Sequence, residues 1–357
     1  MRTLIRPTGF VDSPFGHDGK VARLAGGLSW FAAVELIGIE GNKRVATELA
    51  PVEGIESRFD DRMAAQWEAL TAARAPLQLG ERTIRLDQPQ VMAIVNVTPD
   101  SFSDGGQFAD AASAAEAGAD MAANGAAIID VGAESTRPGA KPVWEGDEIK
   151  RAIPVIRQLA SGGAAVSIDT RKSDVMTAAI EAGARMVNDV SALTYDDRSA
   201  QTVAAAGVPV VLMHHQGAPE TMQDSPRYED VVVEVYLWLE QRIAAAEAAG
   251  IHRSKILIDV GFGFGKNVAH NLELMNHLAL FHSLGCPLAL GASRKRTIGA
   301  LSNEAPVGER LGGSLAFALK AAEQGVQIIR VHDVPQTVQA LRVWRGLRDQ
   351  ALTPRAG

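Results

Sequence analysis

From residue 92 onward, hydrophobic positions fall into short, almost uninterrupted apolar runs that are rich in β-branched residues. A run of this kind is typical of a strand buried on both faces, whereas a strand with one solvated face alternates apolar and polar positions. The chain contains eight such runs, at residues 92–97, 126–132, 165–170, 186–191, 209–214, 256–261, 287–293 and 328–333.

Longer stretches that are rich in alanine separate these runs. In residues 110–124 and 229–249, apolar side chains recur at the spacing of a helix that is buried on one side. Regular alternation of strands and helices predicts an α/β fold with a parallel sheet, and eight units predict a (β/α)8 TIM barrel. A doubly wound open sheet is the alternative, although it usually has fewer strands.

The first 80 residues do not follow this rhythm. Residues 30–40 and 44–50 are predicted to be strands joined at Gly41, and residues 57–75 are predicted to be helical. We therefore expect a small N-terminal α/β extension of unknown role, without a recognisable catalytic motif.

The catalytic barrel is expected to span residues 81–350. Its first ten residues, 81–90, are predicted to be extended and to plug the bottom of the barrel.

Each apolar run ends in polar or charged side chains. Barrel enzymes build their active sites at the carboxyl ends of the strands, so these side chains are expected to share one cavity. They are Asn96, Asp130, Asp169, Asn188 with Asp189, Met213 with His214, Asp259, Ser293 with Arg294 and Lys295, and Arg330 with His332.

Composition excludes several classes of protein. A net charge of −7 argues against a general nucleic-acid or membrane-surface partner, and no stretch approaches the ~20 apolar residues of a membrane span. The N-terminus lacks the apolar core of a signal peptide, and the single cysteine, Cys286, cannot form an internal disulfide. A cytoplasmic protein is therefore expected.

Two loops are more distinctive than the strands that precede them. TPDSFSDGG follows the first run at residues 98–106, and ESTRPG follows the second at residues 134–139. With SIDTRK, NDV, DVGFGFGK and RVHDV at later strand ends, these motifs resemble the dihydropteroate synthase family of folate biosynthesis. The resemblance covers roughly residues 80–349.

The resemblance implies a reaction in which p-aminobenzoate and (7,8-dihydropterin-6-yl)methyl diphosphate give dihydropteroate and diphosphate, with Mg²⁺ as cofactor. It also implies a homodimer. Asn96 would contact the metal, and Asp104, Arg137 and Lys295 would act in catalysis. The substrate-binding residues would be Phe102, Thr136, Asp169, Asn188, Met213, Asp259, Gly263, Phe264, Lys295, Arg330 and His332.

These residue types suit that chemistry. Carboxylates and an amide can accept from the N–H groups of a pterin edge, and a guanidinium can stack on the ring. The glycines of GFGFGK do not form a phosphate-binding P-loop, because Val260 stands where its first glycine should be. Phe262 and Phe264 are expected to be walls of the pocket.

Other residues receive structural interpretations. His214 is expected to be a structural histidine rather than a zinc ligand, and Lys266 a helix-start or surface lysine. Asp130 and Asp189 are left open between structural and functional roles. Arg171 and Arg296 depart from the common family pattern, and Arg296 stands where many members carry serine.

Two alternative functions remain. A pterin-dependent methyltransferase domain can share the barrel and the pterin-binding residues, but it has no need of TPDSFSDGG. A non-catalytic paralogue would be expected to lose loop or magnesium residues, whereas Asn96, Asp104 and Arg137 are all present.

Overall fold

The computed structural model describes residues 1–97, 107–135, 142–217 and 221–353. The chain begins with an antiparallel sheet in which one long strand pairs with all the others. The strands are β1 (Arg2–Val11), β2 (Ala22–Arg23), β3 (Trp30–Glu40) and β4 (Lys43–Pro51), and β3 is the central one. The two strands predicted around Gly41 are therefore confirmed.

Strand β1 was not predicted from the sequence. Pro7 and Gly9 interrupt its apolar pattern, and both residue types are unfavourable inside a central strand. They are tolerated because β1 lies at the edge of the sheet, where it pairs with β3 alone.

A single helix, α1 (Asp61–Thr71), follows the sheet, inside the range predicted to be helical. It begins at Asp60, whose side chain accepts a hydrogen bond from the backbone N–H of Met63 at 2.8 Å. This is the usual way in which an aspartate satisfies the free donors of a helix start.

The rest of the chain forms a closed barrel of eight parallel strands, as predicted. Closure is direct, since the last strand pairs with the first, and it excludes the doubly wound open sheet. The strands are β7 (Gln90–Asn96), β8 (Ile128–Gly132), β9 (Val166–Asp169), β10 (Met186–Asp189), β11 (Val210–Met213), β12 (Ile256–Asp259), β13 (Leu288–Leu290) and β14 (Ile328–Val331).

Helices cover the outside of the barrel. Those of the described residues are α2 (Gln107–Ala123), α3 (Glu145–Ser161), α4 (Ser173–Ala182), α5 (Ser199–Ala206), α6 (Val231–Ala248), α7 (Val268–Asn276), α8 (Arg296–Leu301), α9 (Leu311–Glu323) and α10 (Val334–Ala351).

A short hairpin closes the bottom of the barrel. It consists of β5 (Leu77–Leu79) and β6 (Arg82–Ile84), which pair antiparallel. Its buried side chains, with Leu86, pack in one apolar cluster with one residue from each of seven barrel strands and with Ala165, which directly precedes β9. The plug expected from residues 81–90 is thus present, and β5 is a second part of it that was not predicted.

The N-terminal sheet packs against the outer surface of the barrel. Leu4 and Ile37 belong to the same apolar cluster as the side chains between the barrel strands and their helices. Arg2 forms a two-pronged ion pair with Glu240 at 2.7 and 2.5 Å, and its guanidinium lies 5.7 Å from the centre of the Tyr236 ring. The extension therefore shares a core with the barrel, whereas the domain boundary near residue 80 stays a prediction.

We expect Ile37→Ala to lower the free energy of unfolding by about 2 to 5 kcal/mol, since it opens a cavity in this shared core. Val45→Ala, on the exposed strand β4, is the matched control and should change stability by no more than about 0.5 kcal/mol. Urea unfolding measures both. Equal effects of the two substitutions would contradict the shared core.

Candidate active site

The alternation of side chains along each strand determines which residues line the barrel. Successive side chains point to opposite sides, so residues two apart share a face. Leu257 belongs to the plug cluster inside the barrel, and Asp259 therefore lies above it in the lumen. By the same alternation, the side chains that point into the lumen are those of Asp130, Asp169, Asn188, Met213 and Arg330.

Arg330 holds the centre of this lumen. Its Nε donates to Oδ2 of Asp130 at 2.6 Å, and one terminal nitrogen donates to Oδ2 of Asp169 at 2.6 Å. Asn188 joins the group, because its Nδ2 donates to the same oxygen of Asp130 at 2.9 Å. Burial raises the pKa of Asp169 to about 7, although the neighbouring guanidinium opposes the shift.

Two oxygens of this group have no partner. Oδ1 of Asp130 and Oδ1 of Asp169 are both buried and accept no hydrogen bond from any described residue. Buried acceptors in folded proteins are almost always paired, so unpaired ones in a cavity point to a ligand that donates.

Asp259 is fixed by the loop that follows it. Its Oδ1 accepts from the backbone N–H of Gly261 at 2.7 Å, and burial raises the pKa of this carboxyl group. Gly261 has a φ of 67°, and a Cβ there would lie 1.7 Å from the carbonyl oxygen of His214. Only glycine fits this turn, because the backbone there approaches the carbonyl group of His214 closely.

Lys266 is a buried cross-link, and its expected place at the surface was wrong. Its side chain, 2% exposed, donates to Nδ1 of His214 at 2.8 Å and to the carbonyl oxygens of Gly261 and Phe264, each at 3.0 Å. Three acceptors satisfy all three ammonium hydrogens. The structural role expected of His214 is confirmed.

Lys295 lies over the same loop. Its Nζ donates to the carbonyl oxygen of Phe262 and lies 4.3 Å from the centre of the Phe264 ring. Burial lowers its pKa to about 7, against the attraction of Asp259. Phe262 itself is not a wall of the pocket, since its ring is buried in the core and packs edge-on against Phe317 at 5.1 Å.

The rim of the lumen carries His332 and Asn96, both half-buried. Nδ1 of His332 lies 3.0 Å from the hydroxyl of Ser293, which also accepts from the His332 backbone N–H at 3.2 Å. Asn96 lies beside Gly132, where an added Cβ would be 3.7 Å from Asn96 Oδ1 and 3.6 Å from Asp169 Oδ2. The missing side chain of Gly132 leaves the amide oxygen of Asn96 close to the lumen.

A buried charge network joins the two ends of the loop that carries ESTRPG. Lys172 Nζ donates to Glu134 at 2.9 Å, to Glu148 at 2.7 Å and to the carbonyl oxygen of Val143 at 2.7 Å. Glu134 also accepts from the Val143 backbone N–H and from Arg171 Nε. Arg171, which departs from the family pattern, is therefore part of the support for this loop.

Other predicted residues cannot be placed or are clearly structural. Phe102, Asp104, Thr136 and Arg137 lie outside the described residues. Asp189 points away from the lumen, and its carboxylate accepts from Ser191 and from the Leu193 backbone N–H.

Among the described residues, no group of three or more histidine, cysteine, aspartate or glutamate side chains could hold a metal. Within the same ranges, no helix combines the length and the apolar character needed to cross a bilayer.

A closed parallel barrel with buried polar side chains at the carboxyl ends of its strands is typical of the barrel enzymes. The sequence model of the pterin binding enzyme family matches residues 92–332. Dihydropteroate synthase from Escherichia coli (strain K12) is 48% identical over 262 residues, 73% of this chain and 92% of that protein. The enzyme from Neisseria meningitidis serogroup B is 46% identical over 280 residues, 77% of this chain and 98% of that protein.

Solved structures agree. Dihydropteroate synthase from Xanthomonas albilineans with 4-aminobenzoic acid superimposes with a TM-score of 0.74 at 47% identity, over 79% of this chain and 100% of that one. The enzyme of the same organism in complex with 7,8-dihydropteroate gives a TM-score of 0.70 at 44% identity, over 78% of this chain and 100% of that one. The chain belongs to the dihydropteroate synthases of the pterin binding enzyme family, and it is a transferase.

We expect Lys172→Met to lower the free energy of unfolding by about 3 to 5 kcal/mol, because it leaves the buried carboxylate of Glu148 without its cation and that of Glu134 with Arg171 alone. Lys150→Met is the matched control. Lys150 is exposed and lies 3.7 Å from Asp147, so its loss should change stability by less than about 1 kcal/mol. Urea unfolding compares them, and a Lys172→Met variant as stable as the control would rule out a structural network.

The raised pKa of Asp169 predicts a pH-dependent stability. An acid whose pKa rises from 3.8 to about 7 on folding stabilises the native state fully below pH 3.8, and this contribution is lost as pH rises through 7. The stability of the ligand-free protein relative to Asp169→Asn should therefore fall between pH 5 and pH 8. Urea unfolding at both pH values tests this, and a constant or growing difference would contradict the shift.

Proposed function

We propose that this chain condenses (7,8-dihydropterin-6-yl)methyl diphosphate with p-aminobenzoate at the carboxyl ends of its barrel strands. The observation that carries the proposal is the set of buried acceptors around Arg330, within the part of the chain that matches the pterin binding enzymes. The related enzymes named above support it, since one is solved with 4-aminobenzoic acid and one with 7,8-dihydropteroate.

The pterin is assigned to the floor of the lumen. Asp169, Asn188 and Asp259 would accept from the N–H groups of its edge, and Arg330 would offer its guanidinium plane to the ring. Lys295, which lies over the loop that follows Asp259, would donate to a ring acceptor. Met213, Gly263 and Phe264 would line the remaining sides.

The diphosphate is assigned to the rim, where Arg330, His332 and Asn96 supply charge and donors. The amide oxygen of Asn96 fits Mg²⁺, because this ion prefers oxygen ligands and keeps much of its water, so that one protein ligand suffices. When bound there, the ion would supply positive charge to the departing diphosphate. No covalent nucleophile is required, so the protein would contribute positioning and charge stabilisation.

The p-aminobenzoate site is assigned to the two loops over the mouth. Phe102 and Asp104 from the first loop, with Thr136 and Arg137 from the second, would enclose it and exclude water from the cation formed as diphosphate leaves. The Lys172 network supports this assignment, since it fixes both ends of the second loop.

We also propose that the protein is a homodimer, as the family resemblance implies. We propose a cytoplasmic location, which suits a chain whose single cysteine is free and buried. The division into an N-terminal extension of residues 1–80 and a catalytic barrel of residues 81–350 is kept as a proposal. The extension carries no catalytic group in this scheme.

The decisive experiment is a diphosphate-release assay with the purified full-length chain, Mg²⁺ and both substrates. We expect release that depends on p-aminobenzoate, together with formation of dihydropteroate. Asp259→Ala serves as the site control and should weaken binding of the pterin roughly 10- to 150-fold, since a charged hydrogen bond is lost. Demethylation of a methylated reduced folate without diphosphate release would favour the methyltransferase alternative.

His332→Ala should weaken binding of the pterin diphosphate more than binding of the free pterin alcohol, because its ring lies at the rim and not at the floor. Calorimetry with both ligands measures the difference. Equal losses for the two ligands would show that His332 does not serve the diphosphate.

A further inference from the structure

Asp130 is a completely buried carboxylate in the lumen to which the proposed mechanism gives no contact with a substrate. Its Oδ2 receives two hydrogen bonds, from Nδ2 of Asn188 at 2.9 Å and from Nε of Arg330 at 2.6 Å. Oδ2 of Asp130 is therefore hydrogen-bonded both to Asn188, which is assigned to the pterin floor, and to the guanidinium of Arg330.

This contact determines how the Asn188 amide is oriented. A carboxylate can only accept, so the amide must turn its NH₂ group to Asp130 and leave its Oδ1 as the free end. Without such a partner, an asparagine amide can rotate and present either a donor or an acceptor. The guanidinium is fixed in the same way, between Asp130 and Asp169.

A second observation indicates what the free end faces. Oδ1 of Asp130 and Oδ1 of Asp169 are buried in the same lumen with no partner among the described residues. With Oδ1 of Asn188 they make one part of the floor rich in acceptors, beside the donors Arg330 and Lys295. Such a floor suits a ligand edge built of N–H donors and penalises an edge that carries an oxygen in place of one of them.

We propose that Asp130 is a positioning residue that determines specificity: by orienting the Asn188 amide it makes the floor an acceptor surface, which selects the amino-substituted pterin over ring systems with a carbonyl at that position. The proposal rests on the pterin binding proposed above and goes beyond it by assigning the origin of the selectivity.

The neighbouring Asp189 provides a matched control. It is also completely buried and hydrogen-bonded, but it points away from the lumen and accepts from Ser191 and Leu193 in the following turn. Loss of its charge should affect folding stability without changing which ligand is selected.

The test compares 6-hydroxymethylpterin with the corresponding lumazine, in which a carbonyl oxygen replaces the 2-amino group. Calorimetry should show that the wild-type chain prefers the pterin, and that Asp130→Asn lowers the pterin-to-lumazine affinity ratio at least about tenfold. Asp189→Asn, if folded, should keep the wild-type ratio. Wild-type protein that binds neither ligand would overturn the proposed function as well.

If the pterin binds normally but Asp130→Asn leaves the ratio unchanged, or weakens both ligands equally, only the role of Asp130 is overturned. Asn188→Ser keeps the test decisive if Asp130→Asn does not fold. It leaves Asp130 intact and replaces the oriented amide by a shorter hydroxyl that can turn either its donor or its acceptor to the lumen, so the ratio should again fall about tenfold. A folded Asn188→Ser variant with the wild-type ratio would overturn the proposal by itself.

Discussion

The candidate active site depends on one guanidinium shared by two buried carboxylates. Removing a carboxylate from water is costly, and two adjacent ones also repel each other, so Asp130 and Asp169 can lie side by side only because Arg330 contacts both. The three residues come from strands β8, β9 and β14, and their contacts fix these strands relative to one another across the lumen. Asn188 is positioned against this triad by its hydrogen bond to Asp130.

In the loop after β12, a buried basic side chain likewise fixes the chain around it through its contacts. Lys266 is buried and forms no ion pair with a carboxylate of the described residues, and its side-chain nitrogen is held by a histidine nitrogen and two backbone carbonyls. Because these acceptors belong to the loop itself, the cation determines the loop's conformation. Asp259 is thereby placed beside a fixed turn, and Lys295 contacts the same turn from the segment after β13, as a site that works by positioning requires.

Much of the architecture could be predicted from the sequence, because a strand buried on both faces leaves a continuous apolar run. The residues around the floor could also be predicted, since Asp169, Asn188, Asp259 and Arg330 each stand at a strand end. The partners of buried charged side chains could not be predicted from the sequence. Lys172 and Glu134 lie 38 residues apart, and Lys266 and His214 lie 52 apart, so no local spacing reveals that they meet. Strand β1 was not predicted because Pro7 and Gly9 interrupt the apolar pattern of this edge strand.

The plug at the bottom of the barrel has a consequence for the order of events during turnover. Leu77, Leu79 and Ile84 fill the amino-terminal end of the lumen, so the floor around Arg330 is reached from the loop-bearing mouth. Under the proposed assignment, a pterin seated on the floor would arrive before p-aminobenzoate occupies the mouth, and the joined product would leave through the same opening. The geometry of a closed tube would thus impose an order of binding, independent of any change in affinity.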